Sequence, residues 1–198
     1  TIWSYGLPIW FSWKVFILIT GGFDSGASTY LSMKKGLEVD FLFFNLGFPP
    51  QELWVKQVSY YLWKNYSKSY KSNFITVDFS FLVSLLLEKT TPKYRSVLLK
   101  RYMLKTTSII NQYLKETYSF FNIPYEAIVK GDSIGQVSSQ TLTNLTVIDK
   151  ATDLLVLRPL IMFDKEEIIK ITKEIWTHNF ALNMPEYWDT CMHRPRDL

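Results

Sequence analysis

The sequence has few residues of the kinds that bind metals or form disulfides. Its 198 residues include one cysteine, Cys191, and two histidines. A single cysteine excludes an intrachain disulfide and suits a reducing compartment, so we expect a cytoplasmic protein. One thiol and two imidazoles are too few for the usual zinc ligand sets. No apolar run reaches the roughly 18 residues that cross a bilayer, and the sequence therefore predicts no membrane partner.

Apolar and basic residues are plentiful. Hydrophobic residues make up 47% of the chain and aromatic residues 17%, which excludes a disordered chain and predicts one domain with a full core. The net charge of +4 is compatible with a polyanionic partner without requiring one. One segment is crowded with basic residues, either as a solvated helix face or as a side turned toward the phosphates of a nucleotide or RNA. These residues are Lys93, Arg95, Lys100, Arg101 and Lys105.

Apolar runs of strand length alternate with segments of helix length. Such an alternation is typical of an α/β fold, here a doubly wound, mostly parallel five-stranded sheet with helices on both faces. The predicted strands are 15–19, 39–44, 74–79, 127–129 and 154–157, and the predicted helices are 25–35, 52–66, 81–88, 96–121 and 165–176. Residues 1–13 fit none of these units and are predicted to be a linker or an N-terminal arm, ahead of one domain over 14–198.

The most informative stretch is the strand end and glycine turn at 15–28. Gly21 and Gly22 break the first strand, and Asp24 and Ser25 follow where a helix should begin. The backbone amides of such a turn converge on one point, where the helix dipole favours an anion, so phosphate is the expected ligand. The turn lacks the lysine of a Walker loop and the glycine spacing of dinucleotide folds. The alternative is an ordinary strand-to-helix turn with two glycines for tight geometry.

A second glycine-containing stretch, 131–145, begins at the end of the fourth predicted strand. It combines Gly131 and Gly135 with short hydroxyl and amide side chains, which can bind a ribose, a base edge or a phosphate without adding charge. The alternative is a polar loop that caps a helix. Because the carboxyl ends of parallel strands share one edge of the sheet, we expect the loops at 21–22, 45–47 and 131–132 to meet there.

Together these segments resemble the ATP-binding domain of the tRNA 4-thiouridine synthase family, the thiamine-biosynthesis sulfurtransferases, from about Val15 to Tyr187. The glycine turn is similar to the pyrophosphate (PP) loop of ATP pyrophosphatases, with Thr20 at the usual first serine. The resemblance implies an adenine nucleotide alpha hydrolase-like, Rossmann-like fold. Its landmarks are Gly-Gly-Phe-Asp-Ser-Gly at 21–26, Phe-Phe-Asn-Leu-Gly at 43–47, Leu-Lys-Arg at 99–101, the 131–145 stretch, Leu-Arg-Pro-Leu-Ile at 157–161, Asp-Lys-Glu at 164–166 and Met-Pro-Glu-Tyr at 184–187.

This resemblance implies a tRNA sulfurtransferase. ATP would adenylate the 4-carbonyl oxygen of uridine 8 in tRNA, and a persulfide would then displace AMP to leave 4-thiouridine. Attack on the α-phosphate builds negative charge, which turn amides, Mg²⁺ and lysines stabilise. The implied partners are tRNA and a persulfide donor protein of the cysteine desulfurase or rhodanese type.

The resemblance also assigns site residues by position. The expected catalytic residues for adenylation are Asp24, through Mg²⁺ or substrate orientation, and Lys165, through phosphate charge. The alternatives are a helix N-cap for Asp24, a surface charge for Lys165 and core positions for Phe43 and Phe44, which are among the nucleotide-binding residues given next. The expected nucleotide-binding residues are Leu18 and Ile19 through backbone groups, Thr20, Gly21, Gly22 and Ser25 around the pyrophosphate, Phe43 and Phe44 beside the nucleotide, and Lys100, Gly131 and Gln140.

One departure from the family bears on sulfur transfer. The family often has a cysteine directly after Met-Pro-Glu-Tyr, and here that residue is Trp188, with Cys191 in the following tail. Cys191 is either the sulfur acceptor or incidental. The alternatives to a sulfurtransferase are a nucleotide-binding remnant that has lost sulfur transfer and another PP-loop ATP pyrophosphatase, against which the 131–145 stretch argues.

Overall fold

The structure is a computed structural model of the chain and describes residues 13–67, 70–117 and 125–183. The strands are β1 (Lys14–Leu18), β2 (Glu38–Asn45), β3 (Phe74–Asp78), β4 (Ala127–Val129) and β5 (Leu155–Leu157). The helices are α1 (Phe23–Lys34), α2 (Pro49–Tyr66), α3 (Ser80–Lys89), α4 (Pro92–Thr117), α5 (Leu142–Asp149), α6 (Lys165–Glu174) and α7 (His178–Asn183). A short 3-10 turn, Ser138–Gln140, precedes α5. The predicted α/β class is confirmed.

The order of the strands puts a change of winding direction near the centre of the sheet. All four strand pairings are parallel, and the order across the sheet is β3-β2-β1-β4-β5. The chain winds outward from β1 to β3 and then returns to the other side of β1 for β4 and β5. The direction of winding therefore changes between β1 and β4, and ligands of open α/β sheets bind at the carboxyl ends of such a strand pair.

Helices cover both faces of the sheet, because neighbouring residues of a buried strand point to opposite sides. In β1, Val15 and Ile17 pack in the core formed with α1, α2 and α6, whereas Phe16 and Leu18 pack in the core formed with α3, α4 and α5. Full burial of a side chain of this size contributes about 1.5–3 kcal/mol to folding. The apolar run 15–18 of β1 is thus explained by burial on both sides.

The helix boundaries differ from the predicted ones at several positions. Helix α4 begins at Pro92 rather than at residue 96, since proline suits the first turn of a helix. The 131–145 stretch contains the 3-10 turn and the start of α5, whose N-cap Thr141 accepts from the Asn144 amide at 3.3 Å. Helix α6 ends before residue 176 because Trp176 takes a φ of 60°, and α7 has no predicted counterpart.

Several predicted features lie outside the described residues. They include the N-terminal arm apart from Trp13, and both Trp188 and Cys191. Within the described ranges, no helix combines the length and the apolar character needed to cross a bilayer.

Candidate functional site

The glycine turn after β1 leaves the amino end of α1 open. Gly21 has a φ of 84°, a left-handed conformation that glycine adopts without strain. Gly22 is the N-cap of α1 and supplies no side-chain cap, so the first helical amides lack the side-chain acceptor common at helix starts. Asp24 lies inside the first turn, which excludes the alternative that it is the N-cap. An anion at this end would accept from the free amides and interact with the positive end of the helix dipole.

Ser25 determines the shape of the turn from within. Its buried hydroxyl accepts from the Gly21 amide at 3.1 Å and from the Thr20 hydroxyl at 3.2 Å, and it donates to the Gly22 carbonyl at 3.1 Å. The four residues predicted to surround the pyrophosphate are therefore brought together. Because the Ser25 hydroxyl is already engaged, its role here is to shape the turn.

Gly131 joins the two glycine-containing stretches. A Cβ atom at this position would lie 2.7 Å from the carbonyl carbon and 2.8 Å from the carbonyl oxygen of Asp24. It would also lie 3.0 Å from the amide nitrogen of Ser25. Backbone atoms cannot swing aside as a flexible side chain can, so only glycine fits. The loop after β4 therefore packs directly on the first turn of α1, and both stretches form one site at the change of winding direction.

The two predicted catalytic residues meet at the same end of α1. The Nζ atom of Lys165 lies 3.2 Å from Oδ1 of Asp24 and 5.3 Å from the centre of the Phe23 ring. Lys165 is the first residue of α6, whose start is held by a capping box between Asp164 and Glu167. The Asp24 and Lys165 side chains are 30% and 50% exposed, which leaves both accessible to a ligand.

Behind these residues lies a buried charge cluster that the sequence analysis missed. The carboxylate of Asp132 lies 3.0 Å from Lys100 Nζ, 2.9 Å from Lys130 Nζ and 3.2 Å from Arg158 Nε. The Lys130 contact is an ion pair without hydrogen-bond geometry. Arg158 also pairs with Asp149 at 2.5 Å. Three cations and two carboxylates leave one net positive charge around Asp132, which directly follows Gly131, the residue that packs on the first turn of α1.

The cluster shifts the pKa values of its members. Burial alone would raise the pKa of Asp132, but the charges of Lys130 and Lys100 outweigh it and hold this pKa well below its usual range. Burial lowers the pKa of Lys130 to about 8, against the opposing effect of Asp132. Asp132 is therefore charged at physiological pH, whereas Lys130 loses its proton in mildly alkaline solution.

Lys100 and Gln140, both predicted to bind the nucleotide, belong to this cluster. The Lys100 ammonium is buried and donates to Asp132. The Gln140 side chain donates to Asp132 Oδ1 at 3.4 Å, and its Oε1 is buried without a hydrogen-bond partner among the described residues. A buried unpaired acceptor costs about 1–3 kcal/mol. Oε1 of Gln140 is therefore a candidate acceptor for a donor group of a ligand.

The remaining predicted residues are parts of the strands and the core. The Ile19 amide donates to the Leu42 carbonyl at 3.1 Å, and Leu18 is paired in register with Leu42. Phe43 packs in the core with α1 and α2, and Phe44 packs in the core with α3 and α4. Both rings occupy the core positions considered as their alternative.

The basic segment of α4 is used largely within the fold. Arg95 donates to two carbonyls at the carboxyl end of α3, and Arg101 donates to the Val147 carbonyl near the carboxyl end of α5. Cations there satisfy free carbonyls and interact with the negative end of the helix dipole. Lys93 and Lys105 are exposed. Neither a uniform solvated face nor a uniform phosphate-facing side describes this segment.

The described part of the chain does not bring together three or more His, Cys, Asp or Glu side chains as a metal-binding group. Mg²⁺ usually keeps several waters and binds through one or two carboxylates together with substrate phosphates. The accessible carboxylate of Asp24, beside the open amino end of α1, fits a site of that kind.

The sequence matches the family model "Thiamine biosynthesis protein (ThiI)" over residues 11–197. It is 47% identical over 190 residues to a tRNA sulfurtransferase of Vibrio campbellii (strain ATCC BAA-1116), covering 96% of this chain and 38% of that relative. It is 46% identical over 190 residues to a tRNA sulfurtransferase of Shewanella sp. (strain ANA-3), covering 96% of this chain and 37% of that relative. The chain thus spans less than half the length of the curated relatives it matches.

The fold is similar to a solved structure described as a 4-thiouridine synthetase–RNA complex with bound ATP. The TM-score is 0.77 at 28% identity, covering 91% of this chain and 45% of that chain. An NMN synthetase from Francisella tularensis has a TM-score of 0.52 at 14% identity, covering 87% of this chain and 64% of that chain, which is a likeness of fold alone. The family model accounts for nearly the whole sequence, and the chain belongs to the thiamine biosynthesis protein (ThiI) family.

Proposed function

We propose that this chain is the adenylating domain of a tRNA sulfurtransferase. The 4-carbonyl oxygen of uridine 8 in tRNA attacks the α-phosphorus of ATP, and pyrophosphate leaves. The terminal sulfur of a persulfide then attacks carbon 4 as the C4–O bond to AMP breaks. A thiol next attacks the inner sulfur of that persulfide, which forms a disulfide and leaves 4-thiouridine. The observation that carries the proposal is the contact of Gly131 with the Asp24–Ser25 backbone, because it combines both glycine-containing stretches in one site.

The proposed roles follow from charge. The first amides of α1 bind the pyrophosphate part of ATP, and Lys165 offsets phosphate charge beside Asp24. The net positive charge around Asp132 favours the same anion from behind. Asp24 would hold Mg²⁺ together with the ATP phosphates, and that ion would supply Lewis-acid stabilisation of the phosphate charge.

The nucleotide contacts are proposals of the same kind. The turn from Thr20 to Ser25 surrounds the pyrophosphate mainly through its backbone, and the backbone of Leu18 and Ile19 lies on the adenine side. The buried Oε1 of Gln140 accepts from a nucleotide hydroxyl or amino group. Lys100 acts through Asp132. Phe43 and Phe44 support the strand that ends beside the nucleotide.

The relatives support this reading over another PP-loop ATP pyrophosphatase, since those quoted above are tRNA sulfurtransferases. The solved neighbour contains both RNA and ATP. The transferred sulfur is released when a thiol forms a disulfide with the inner sulfur of the persulfide, and Cys191 is the one cysteine of this sequence. We therefore assign that step to Cys191 or to the donor protein, and we infer a cytoplasmic location from the tRNA substrate.

The experiment that tests adenylation follows AMP release from labelled ATP with unmodified tRNA. The wild-type chain should form AMP only with tRNA, and Asp24→Asn and Lys165→Met should each lower the rate at least tenfold, about 1.4 kcal/mol of transition-state stabilisation. Asp153→Asn and Lys173→Met are matched controls on the exposed surface, and they should leave the rate unchanged.

Sulfur transfer is measured in the same reactions with a persulfide donor. Loss of 4-thiouridine in Cys191→Ser with AMP formation intact would identify Cys191 as the acceptor, whereas unchanged thiolation would show that it is incidental. AMP formation without thiolation in the wild-type chain would support the remnant alternative. Absence of AMP under all donor conditions would refute an adenylating domain.

A further inference from the structure

A basic depression lies on the surface between α4 and α5, apart from the candidate nucleotide site. It encloses about 330 Å³. Six described residues line it, of which three are cations and none is acidic. The lining residues are Leu98, Arg101, Tyr102, Lys105, Lys150 and Ala151. Lys100 directly precedes Arg101 in the chain but is buried against Asp132, so α4 contributes to the depression with a different side from the one that faces the charge cluster.

The cations of the depression differ in their surroundings. Arg101 is engaged by the Val147 carbonyl and ties α4 to α5. Lys105 and Lys150 are exposed, and within the described residues neither forms an ion pair. Lys150 is the C-cap of α5, and its positive charge interacts favourably with the negative end of the helix dipole. Two lysines with uncommitted ammonium groups thus flank a concave surface, an arrangement that favours an anion.

Exposed large hydrophobic side chains, two of them aromatic, continue this surface along α4. Tyr102, Ile109 and Tyr113 fall on one helix face and are 42%, 58% and 62% exposed. Tyr102 itself lines the depression beside Lys105. Large exposed rings next to uncommitted cations distinguish a nucleic-acid surface from a general anion site, since bases stack on aromatic faces while phosphates contact lysines.

We propose that the α4–α5 depression is an RNA-binding subsite, with backbone phosphates on Lys105 and Lys150 and an unpaired base stacked on Tyr102. The identity of that RNA as the tRNA substrate rests on the proposed function. The subsite itself rests on charge complementarity and on the exposed ring. The subsite binds a part of the tRNA other than the reacting uridine. It therefore contributes to tRNA affinity independently of the ATP site.

The test measures binding of unmodified tRNA to the 198-residue chain by fluorescence anisotropy over a range of salt concentrations. The double variant Lys105→Gln/Lys150→Gln should bind more weakly, and the slope of log affinity against log salt should fall by about 0.7–0.9 for each lysine. Lys170→Gln/Lys173→Gln, two exposed lysines of α6, is the matched control and should keep the wild-type slope.

The stacking part is tested with Tyr102→Leu and Tyr102→Phe. The leucine variant should weaken binding at least about fivefold, while the phenylalanine variant, which keeps a ring, should bind as the wild type does. Thermal unfolding of each variant shows that the fold is retained. Since Tyr102→Phe changes a single hydroxyl, it keeps the comparison interpretable if Tyr102→Leu proves unstable.

Several outcomes would overturn the subsite. They are an unchanged salt slope in the lysine pair, an equal loss in the α6 pair, and no RNA binding by the wild-type chain. A loss of RNA affinity in Tyr102→Leu with the lysine pair silent would also overturn it, because the phosphates would then not be bound by Lys105 and Lys150. ATP affinity should be unchanged in all these variants. RNA binding through this surface without AMP formation would refute the proposed function alone, and AMP formation with silent variants would refute the subsite alone.

Discussion

Two buried carboxylates near opposite ends of the strands are neutralised in different ways. Asp40, near the start of β2, has one cation, Lys14, at 3.2 Å, together with neutral donors. The Asn73 amide donates at 2.7 Å, its side chain donates at 2.9 Å, and the Tyr125 hydroxyl donates as well. Asp132, just past β4, is surrounded instead by three cations.

The difference separates a structural device from a functional one. The donors around Asp40 come from the segments that lead into β3 and β4, so this carboxylate connects three strands without excess charge. Around Asp132 the cations exceed the carboxylates, which brings extra desolvation cost without a matching gain in stability. Under the proposed function, the surplus positive charge around Asp132 favours the phosphates of ATP, whereas the neutral donors around Asp40 support the sheet.

The largest expected effect is on stability, at the Asp40 end. Among the described residues, Lys14 is the cation that pairs with Asp40, and Lys14→Met leaves this buried charge with neutral donors. We expect the free energy of unfolding to fall by about 3 kcal/mol, the lower end for a broken buried pair because Lys14 keeps some exposure. Urea unfolding measures this loss. ATP affinity of the folded protein should not change, and a loss of ATP affinity comparable with that of a site variant would contradict the separation of roles.

A smaller effect is expected at the Asp132 end, and it concerns binding and its pH dependence. Because the pKa of Lys130 is lowered to about 8, its charge is lost as pH rises through that value, and ATP affinity should fall with it. Lys130→Met should bind ATP about tenfold more weakly below pH 8, a change of about 1.4 kcal/mol, and should lack this pH step. Isothermal titration of ATP at several pH values measures both.

Stability should respond to Lys130 in the opposite direction. The unfolded chain keeps this proton up to the ordinary value of 10.5, whereas the folded chain loses it near 8. Between these values the unfolded state binds more protons, so the contribution of Lys130 to stability rises with pH. The difference between wild-type and Lys130→Met unfolding curves isolates this contribution. If the difference in the free energy of unfolding stays constant or falls as pH rises, the pKa of Lys130 is not lowered by burial in the folded chain.

The smallest expected effect is on stability, at Trp176, which belongs to neither carboxylate site. It tests whether charge, rather than backbone strain, distinguishes the two sites. Trp176 adopts a φ of 60° and is 76% exposed, so replacing it loses little packing. Trp176→Gly should raise the free energy of unfolding by about 1 kcal/mol through relief of the left-handed conformation. Differential scanning calorimetry measures the gain, with Trp13→Gly as a control at an exposed position that lacks this φ. A change in ATP affinity in Trp176→Gly would show that backbone strain reaches the site.

Local patterns predict the elements and both glycine stretches well, because each depends on neighbours in the chain. The apolar run of β1 and the turn at Gly21 and Gly22 can be recognised directly in the amino-acid sequence. The partners of Asp132 are not, since Lys100 and Arg158 come from distant segments. The predicted roles of Phe43 and Phe44 illustrate the same limit: their apolar character indicates a strand, but which face each covers depends on what packs there.

The sequence by itself determined the parallel α/β architecture, the position of the glycine turn and the family, since strand periodicity and glycine spacing are local properties. Only the tertiary structure decided that Gly131 touches the first turn of α1, that Lys165 pairs with Asp24, and that Lys100 serves a buried carboxylate. These contacts join residues far apart in the chain. Their energies depend on burial and distance, which arise only when the strands β1 and β4 lie side by side.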